Sequence, residues 1–194
     1  MRKLLVVDLC GTIVKCNTTH GFMRYAALPF PRRLAAALIL SRPGGFLLNR
    51  VHSGLQRKCL VACLWAAAKN DLAELGRDYA RITLASNPRE EVLQRIATAR
   101  QQGVHVVLAS ASLDFIVSGF ADVLEVEVAV STQLGFSYRQ RCRGVIAVDS
   151  TGRKLQLLRE FVGGELEFDV ITDNPEDSDL MAVANNAWFI DAPE

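Results

Sequence analysis

Three short runs constrain this chain more than any other feature: Leu4–Val7, Val104–Ala109 and Phe168–Thr172, followed at once by Asp8, Ser110 and Asp173. Each is too short and too rich in branched side chains for a helix. They are largely apolar rather than alternating, as strands buried on both faces of a parallel sheet are. Helical patterns lie between them, and strands alternating with helices predict a doubly wound, mostly parallel, Rossmann-like α/β sheet. Ligands of such sheets bind at the carboxyl ends of the strands. Asp8, Ser110 and Asp173 all fall there.

Punctuation places the remaining elements. Pro31 suits the first position of a helix over Arg32–Leu40, which Pro43-Gly44-Gly45 is expected to break. Ser53–Lys69 and Asp71–Ile82 read as two further helices. Asn87 as cap, Pro88 at N1 and Glu90 at N3 predict another, ended by Gly103. A helix is expected to begin near Leu113, a strand to span Val123–Val130, and irregular β structure to fill Gly135–Val148. After the turn Asp149–Gly152 come a helix over Lys154–Phe161, the Phe168 strand, a helix over about Glu176–Ala184 and a last strand, Ala187–Ile190.

A length of 194 residues allows one globular core, or one core with a small insert, and the 50% hydrophobic content excludes a disordered chain. The longest uninterrupted apolar run, Cys59–Ala68, has ten residues, against the roughly 18 that a membrane span needs. The apolar stretch after Arg2 and Lys3 stops at Asp8, too early for a secretory signal. Five cysteines, an odd number without a Cys-x-x-Cys pair, agree with a cytoplasmic location. Charge is distributed unevenly. The 62 residues between Asp8 and Asp71 hold no acid and nine basic residues, so residues 1–70 carry +10 and residues 71–194 carry −9.

Asp8-Leu9-Cys10-Gly11-Thr12 after the first strand resembles the first motif of the haloacid dehalogenase superfamily, usually Asp-x-Asp-Gly-Thr. Val107-Leu108-Ala109-Ser110 is similar to the second motif, Lys154 after Gly152 to the third, and the pair Asp173 and Asp177 to the fourth. Singly these motifs are weak; in this order, each at a strand end or a helix start, they are specific. Ser110-Ala111-Ser112 and the helical insert resemble the phosphoserine-phosphatase-like branch. The resemblance implies an α/β core at 1–14 and 87–194, with a small helical cap at 15–86.

The chemistry is coherent with that resemblance. A phosphomonoester is a dianion, so an attacking carboxylate must overcome charge repulsion, and Mg²⁺ held by one or two carboxylates relieves it. Asp8 and Asp173 can supply those carboxylates, and the family's remaining protein ligand is the carbonyl of residue 10, here Cys10. Asp177 can hold a metal-bound water or orient the lysine. Lys154 and the Ser110 hydroxyl can bind the transferring phosphoryl oxygens, with Gly11, Thr12, Ala111 and Asn174 offering further contacts from the loops. The resemblance implies an aspartyl-phosphate on Asp8. The substrate is a small phosphate compound; no nucleic acid is expected.

Cys10 departs from the pattern, because the family's second Asp protonates the leaving group and activates water. General acid–base help is worth typically about 10²–10⁴-fold. Three outcomes are consistent with its loss: an enzyme acting on good leaving groups such as acyl phosphates, a slow phosphatase, or a phosphate-binding relative without turnover. A C–halogen or C–P hydrolase of the same fold is a further alternative.

The other candidates have plainer readings. His20 opens the insert near the first motif and can face substrate. His105 is read as structural and Asp179 as an exposed helix residue, while Cys59, Cys63, Trp65 and Trp188 are read as packing residues. The insert combines its basic residues with apolar runs at Leu34–Leu40, Phe46–Leu48 and Cys59–Ala68. That combination raises two expectations: an amphiphilic phosphate substrate, and peripheral contact with an anionic membrane through Arg32 and Arg33.

Overall fold

The structure is a computed structural model that describes residues 3–52, 54–164 and 166–191. Six strands form one sheet: β1 (Leu4–Val7), β2 (His105–Leu113), β3 (Glu127–Phe136), β4 (Cys142–Val148), β5 (Phe168–Thr172) and β6 (Asn186–Phe189). Their order is β4-β3-β2-β1-β5-β6, with β4 antiparallel to β3 and every other pairing parallel. This is the expected α/β sheet. The chain leaves β1 toward β2 on one side and returns later to β5 on the other, so the switch in strand order opens a crevice at the end of β1.

Strand alternation divides the interior in two. Leu5, Val7, Val106, Leu108 and Ile171 point into one apolar cluster, and Leu4, Val6, Val107, Ala109 and Val170 into the other. Helix α8 (Lys154–Val162) and helix α9 (Ser178–Val183) cover the second cluster through Leu158 and Leu180. The first cluster is covered by helices on the opposite face, including α1 (Thr18–Tyr25), α5 (Lys69–Ser86), α6 (Glu90–Gln101) and α7 (Asp114–Leu124). Gly76 of α5 lies against Gly119 of α7, where a methyl group on either residue would strike backbone. The close approach of these two helices depends on both glycines.

Three more helices, α2 (Phe30–Leu40), α3 (Arg42–Val51) and α4 (Leu55–Ala62), lie between α1 and α5 in the chain. Several local expectations are corrected here. The helix expected over 32–40 spans Phe30–Leu40 and stops there as expected, but Pro43, Gly44 and Gly45 lie in a further helix, α3, which the Ser41 hydroxyl caps. Ser53, the expected start of a long helix, lies outside the described residues. That helix ends at Ala62, not Lys69, because Ala66, Ala67 and Lys69 exchange backbone hydrogen bonds with Gln140 and Cys142. Helix α5 in turn runs from Lys69 to Ser86.

The predicted capping box at Asn87–Glu90 does not form. Pro88 bridges to Val14, and the helix starts at Glu90 with Arg89 at its cap. Strand β2 runs on through Ser110 to Leu113, so the second motif lies within a strand rather than beyond it. Val123 and Leu124 belong to α7, not to the strand that follows. A 3-10 turn, Pro175–Asp177, precedes α9. Among the described residues no helix is long and apolar enough to cross a membrane.

Candidate active site

Four separate elements deliver the site. Strand β1 ends at Asp8, β2 carries Ser110, Ala111 and Ser112, α8 opens with Lys154, and the β5 end supplies Asp173 and Asn174. With Cys10, Asn17, Thr19, His20, Gln56, Arg57 and Pro175 they line a cavity of about 600 Å³. The parallel register of β1 with β2 and β5 places the strand ends side by side, although the three segments are far apart in the chain.

Lys154 is the electrostatic centre. Its ammonium lies 2.9 Å from Asp8 Oδ2 and 2.8 Å from Asp177 Oδ2, with its side chain only 2% exposed. Burial alone would lower the lysine's pKa, but Asp8 and Asp177 outweigh it and raise the group above its ordinary value. The charge is therefore held through the neutral range. Asp177 also accepts a 2.6 Å hydrogen bond from Thr172. Of the two roles expected for Asp177, the geometry supports orienting the lysine.

The first loop is built around Asp173. Thr12 donates its hydroxyl to Asp173 Oδ1 at 2.8 Å and accepts the Asp173 N–H at 2.9 Å. Gly11 adopts φ +75°, and the Asp173 carboxylate occupies the space that a Cβ would need. Glycine is required there on both counts. The Gly11 N–H is spent on the Val14 carbonyl, and the Thr12 hydroxyl on Asp173. These two groups are thus engaged within the loop, and the Thr12 hydroxyl positions Asp173. The Asn174 side chain accepts from the Glu176 N–H and caps the 3-10 turn while lining the cavity.

Cys10 sits in a shell of hydroxyls. Its Sγ lies 2.9 Å from Thr18 Oγ1 and 3.0 Å from Ser112 Oγ, and the two hydroxyls also bond each other. Burial and then the Asp8 charge raise the thiol's pKa, with the two hydroxyls opposing. A group in this state keeps its proton at neutral pH and is a weak acid.

Two arginines had no distinguishing signal in the sequence. Arg57, from α4, donates to Asp149 Oδ1 at 3.0 Å, to Thr151 and Thr132 hydroxyls at 2.6 Å each, and to the Ala111 carbonyl. It ties α4 to the sheet beside the cavity. Thr132 continues to Ser150, which donates to the Ser110 carbonyl at 3.1 Å, so the same network holds the second motif. Arg89 donates to the Gly11 carbonyl at 2.6 Å and to the Asp191 carbonyl at 2.7 Å, bracing the first loop from behind.

His20 lines the cavity, its pKa lowered by burial and then by Arg24, so the ring is neutral at pH 7. His105 pairs with Glu127 far from the site, and Asp179 is exposed on α9. Trp65, read as a packing residue, is instead 59% exposed and lies beneath Arg32. The apolar runs expected beside the substrate, at 34–40, 46–48 and 59–68, contribute none of the residues lining the cavity.

Among the described residues, no group of three or more His, Cys, Asp and Glu forms a ready metal cluster. Mg²⁺ does not require one: it is typically bound by one or two carboxylates, keeping several waters and gaining substrate oxygens. Asp8 and Asp173, both lining the cavity, meet that description.

The sequence matches the family model for haloacid dehalogenase-like hydrolases over residues 5–182. No curated protein matches it. Among solved structures, a protein of unknown function from Bordetella pertussis Tohama I is 17% identical with a TM-score of 0.76, over 96% of this chain and 89% of that one. A phospho-aspartyl intermediate analogue of phosphoserine phosphatase is 16% identical with a TM-score of 0.59, over 96% and 85%. Cytosolic 5′-nucleotidase IIIB bound to cytidine is 14% identical with a TM-score of 0.64, over 96% and 71%. At such identities these likenesses establish the shared fold.

Proposed function

Because this chain belongs to the haloacid dehalogenase-like hydrolases, we propose that it is a Mg²⁺-dependent phosphohydrolase acting through an aspartyl-phosphate on Asp8. The observation that carries this reading is the buried Asp8–Lys154 pair, 2.9 Å apart, on a cavity also lined by Ser110 and Asp173. The phosphoserine phosphatase and nucleotidase among its structural relatives support a phosphate ester or anhydride over a carbon–halogen bond.

In this mechanism Lys154 and the Ser110 hydroxyl bind phosphoryl oxygens and draw charge from the phosphorus. An Asp8 carboxylate oxygen attacks phosphorus, the bond to the leaving group breaks, and that group departs with the electron pair. Water then attacks the phosphorus of the aspartyl-phosphate, releasing phosphate and restoring Asp8. Asp177 and Thr172 keep the lysine aimed, while Thr12 and Gly11 keep Asp173 in place. Asp8, Asp173 and the Cys10 carbonyl are the groups that would hold Mg²⁺, which supplies neutralisation of the phosphate's charge.

Cys10 defines the substrate's leaving group. A buried thiol that holds its proton above the ordinary thiol range is a weaker general acid than the carboxylic acid it replaces. Leaving groups that need little protonation, those of acyl phosphates, anhydrides and activated esters, are therefore favoured. The cavity lining holds no Val, Leu, Ile, Met or Phe side chain, which disfavours a long aliphatic chain there. The helical insertion, residues 15–86, serves as the cap over a core formed by 1–14 and 87–194. Five free cysteines suit a cytoplasmic enzyme.

The test is phosphate release from a panel of acyl phosphates, aryl phosphates and alkyl phosphates, with Mg²⁺ and with EDTA. Turnover of the activated members, abolished by EDTA, is the expected result. Asp8→Asn should remove that turnover by at least about 10⁴-fold, the scale on which loss of a nucleophile is felt. Turnover that survives EDTA or this substitution in a folded protein refutes the mechanism. The second reading, a phosphate-binding protein without turnover, rests on Cys10, and phosphate binding with no hydrolysis of any panel member would establish it.

A further inference from the structure

Helices α2 and α3 expose most of their large apolar side chains. An ordinary surface helix buries its large apolar side chains and exposes its charges. Here the only fully buried residues of the two helices are Ala36 and Gly45. Ile39 and Leu40 pack half-buried against the core, but most of the large apolar side chains point outward: Phe30 is 72% exposed, Leu38 62%, Phe46 68%, Leu47 65% and Val51 73%. Phe30, Leu34 and Leu38 follow one another at four-residue steps along one side of α2. Helix α3 continues the surface with Phe46, Leu47 and Val51. A patch of this kind on a water-soluble surface marks an interaction site.

The charges beside it identify the partner. Arg33, Arg42 and Arg50 are exposed on the same two helices, and among the described residues none of them enters an ion pair. No acid occurs between Asp8 and Asp71, so none on α2, α3 or α4 offsets them. Arg32 is different: it donates to the Trp65 carbonyl and covers the Trp65 ring at 5.4 Å, which makes it a packing residue and not part of the free charge. Nucleic acid would match the arginines but not the exposed Phe, Leu and Val. A second copy of the chain would match the apolar side chains but would bring like charges together. An anionic bilayer satisfies both, since its acyl boundary accepts apolar side chains while its headgroups pair with arginine.

We propose that α2 and α3 dock this protein in the plane of an anionic lipid surface, inserting Phe30, Leu34, Leu38, Phe46, Leu47 and Val51 between arginine-bound headgroups. Helices of 11 and 10 residues are too short to span and lie along the interface. The contact also reaches the cavity. Gln56 of the cavity wall donates to the Ile39 carbonyl at 3.0 Å and accepts from Asn49 at 3.1 Å, joining α2 and α3 to the rim of the site. The proposal does not depend on the catalytic reading, because it concerns a surface outside the cavity.

The experiment is flotation of the full chain with vesicles of phosphatidylcholine containing 30% phosphatidylglycerol, and with phosphatidylcholine alone. Binding to the anionic vesicles only, lost in high salt as the Debye length falls to about 3 Å at 1 M, is expected. The triple change Arg33→Gln, Arg42→Gln, Arg50→Gln should weaken partitioning about a hundred-fold, given the contribution of each basic residue near such a surface. Phe46→Ser with Leu47→Ser should also abolish flotation while leaving the thermal midpoint unchanged, since both side chains are exposed. Equal binding to neutral vesicles, no binding to either, or binding indifferent to these substitutions overturns the proposal. So does a dimer seen by light scattering that the Phe46 and Leu47 changes dissociate.

Discussion

The edge of the sheet and the α2–α3 pair treat charge in opposite ways. At the edge, Asp8, Lys154 and Asp177 are nearly excluded from water, with their charged groups within 3 Å of a partner. On α2 and α3, Arg33, Arg42 and Arg50 face solvent among exposed apolar side chains. Buried charge is tolerated only when paired and hydrogen-bonded, so the sheet edge is a rigid, over-determined arrangement. Exposed charge is weakly coupled to the fold. The first region is organised for chemistry on a fixed geometry, and the second is available to something outside the molecule.

The sharpest way to break this contrast is to remove the lysine. Lys154→Met should leave Asp8 and Asp177 buried without their shared cation, at a cost of roughly 3–5 kcal/mol, the usual penalty for breaking a buried pair. Denaturant unfolding measures it, and a loss below 1 kcal/mol would mean that the pair is not buried as described. Next in size is Cys10→Asp. Thr18 and Ser112 already place hydroxyls near Sγ that can donate to a carboxylate. This substitution should raise turnover of alkyl phosphates about a hundred-fold, at the low end of general acid–base contributions, with little change for acyl phosphates. An equal effect on both classes would show that leaving-group protonation is not what Cys10 withholds.

Two arginines from the same acid-free segment sharpen the comparison further. Arg57→Ala breaks charge-assisted hydrogen bonds to Asp149, Thr132, Thr151 and Ala111. It should cost roughly 1.5–3 kcal/mol, the range for hydrogen bonds to charged groups. Hydrogen exchange should quicken in α4 before it quickens in the sheet. Arg33→Ala, by contrast, should change stability by less than about 0.5 kcal/mol, as exposed substitutions do. If the two variants melt alike, Arg57 is not the tie between α4 and the sheet.

Nothing in the sequence separates those two residues. Both are basic residues in a helical stretch without acids, and spacing says only that each lies on a helix. Their difference is set by which of them meets Asp149, a residue 92 positions away from Arg57. The same reason explains Gly11 and Thr12. Their place in the first loop was legible, but the Thr12 hydroxyl is taken by Asp173 across 161 positions, which no local pattern encodes. The helix ends expected at Leu40, Gly103 and Gly163 were borne out to within two residues, but those expected near Lys69 and Asn87 failed for a related cause. Lys69 and Pro88 make backbone contacts to remote segments, and those contacts override cap and breaker preferences.

What the sequence determined by itself is what depends on neighbours along the chain. The buried strands, their abrupt polar ends, the alternation with helices and the resulting α/β class all follow from period and length. The candidate residues Asp8, Ser110, Lys154 and Asp173 were legible because each stands where an apolar run stops or a helix starts. Only the tertiary structure decided which of these groups are partners. Asp177 serves the lysine, Thr12 and Gly11 serve Asp173, Cys10 rests between two hydroxyls, and the apolar surface of α2 and α3 lies outside the cavity. Pairing across a folded sheet is a property of distance in space: Cys10 meets Ser112 across 102 positions and Thr12 meets Asp173 across 161.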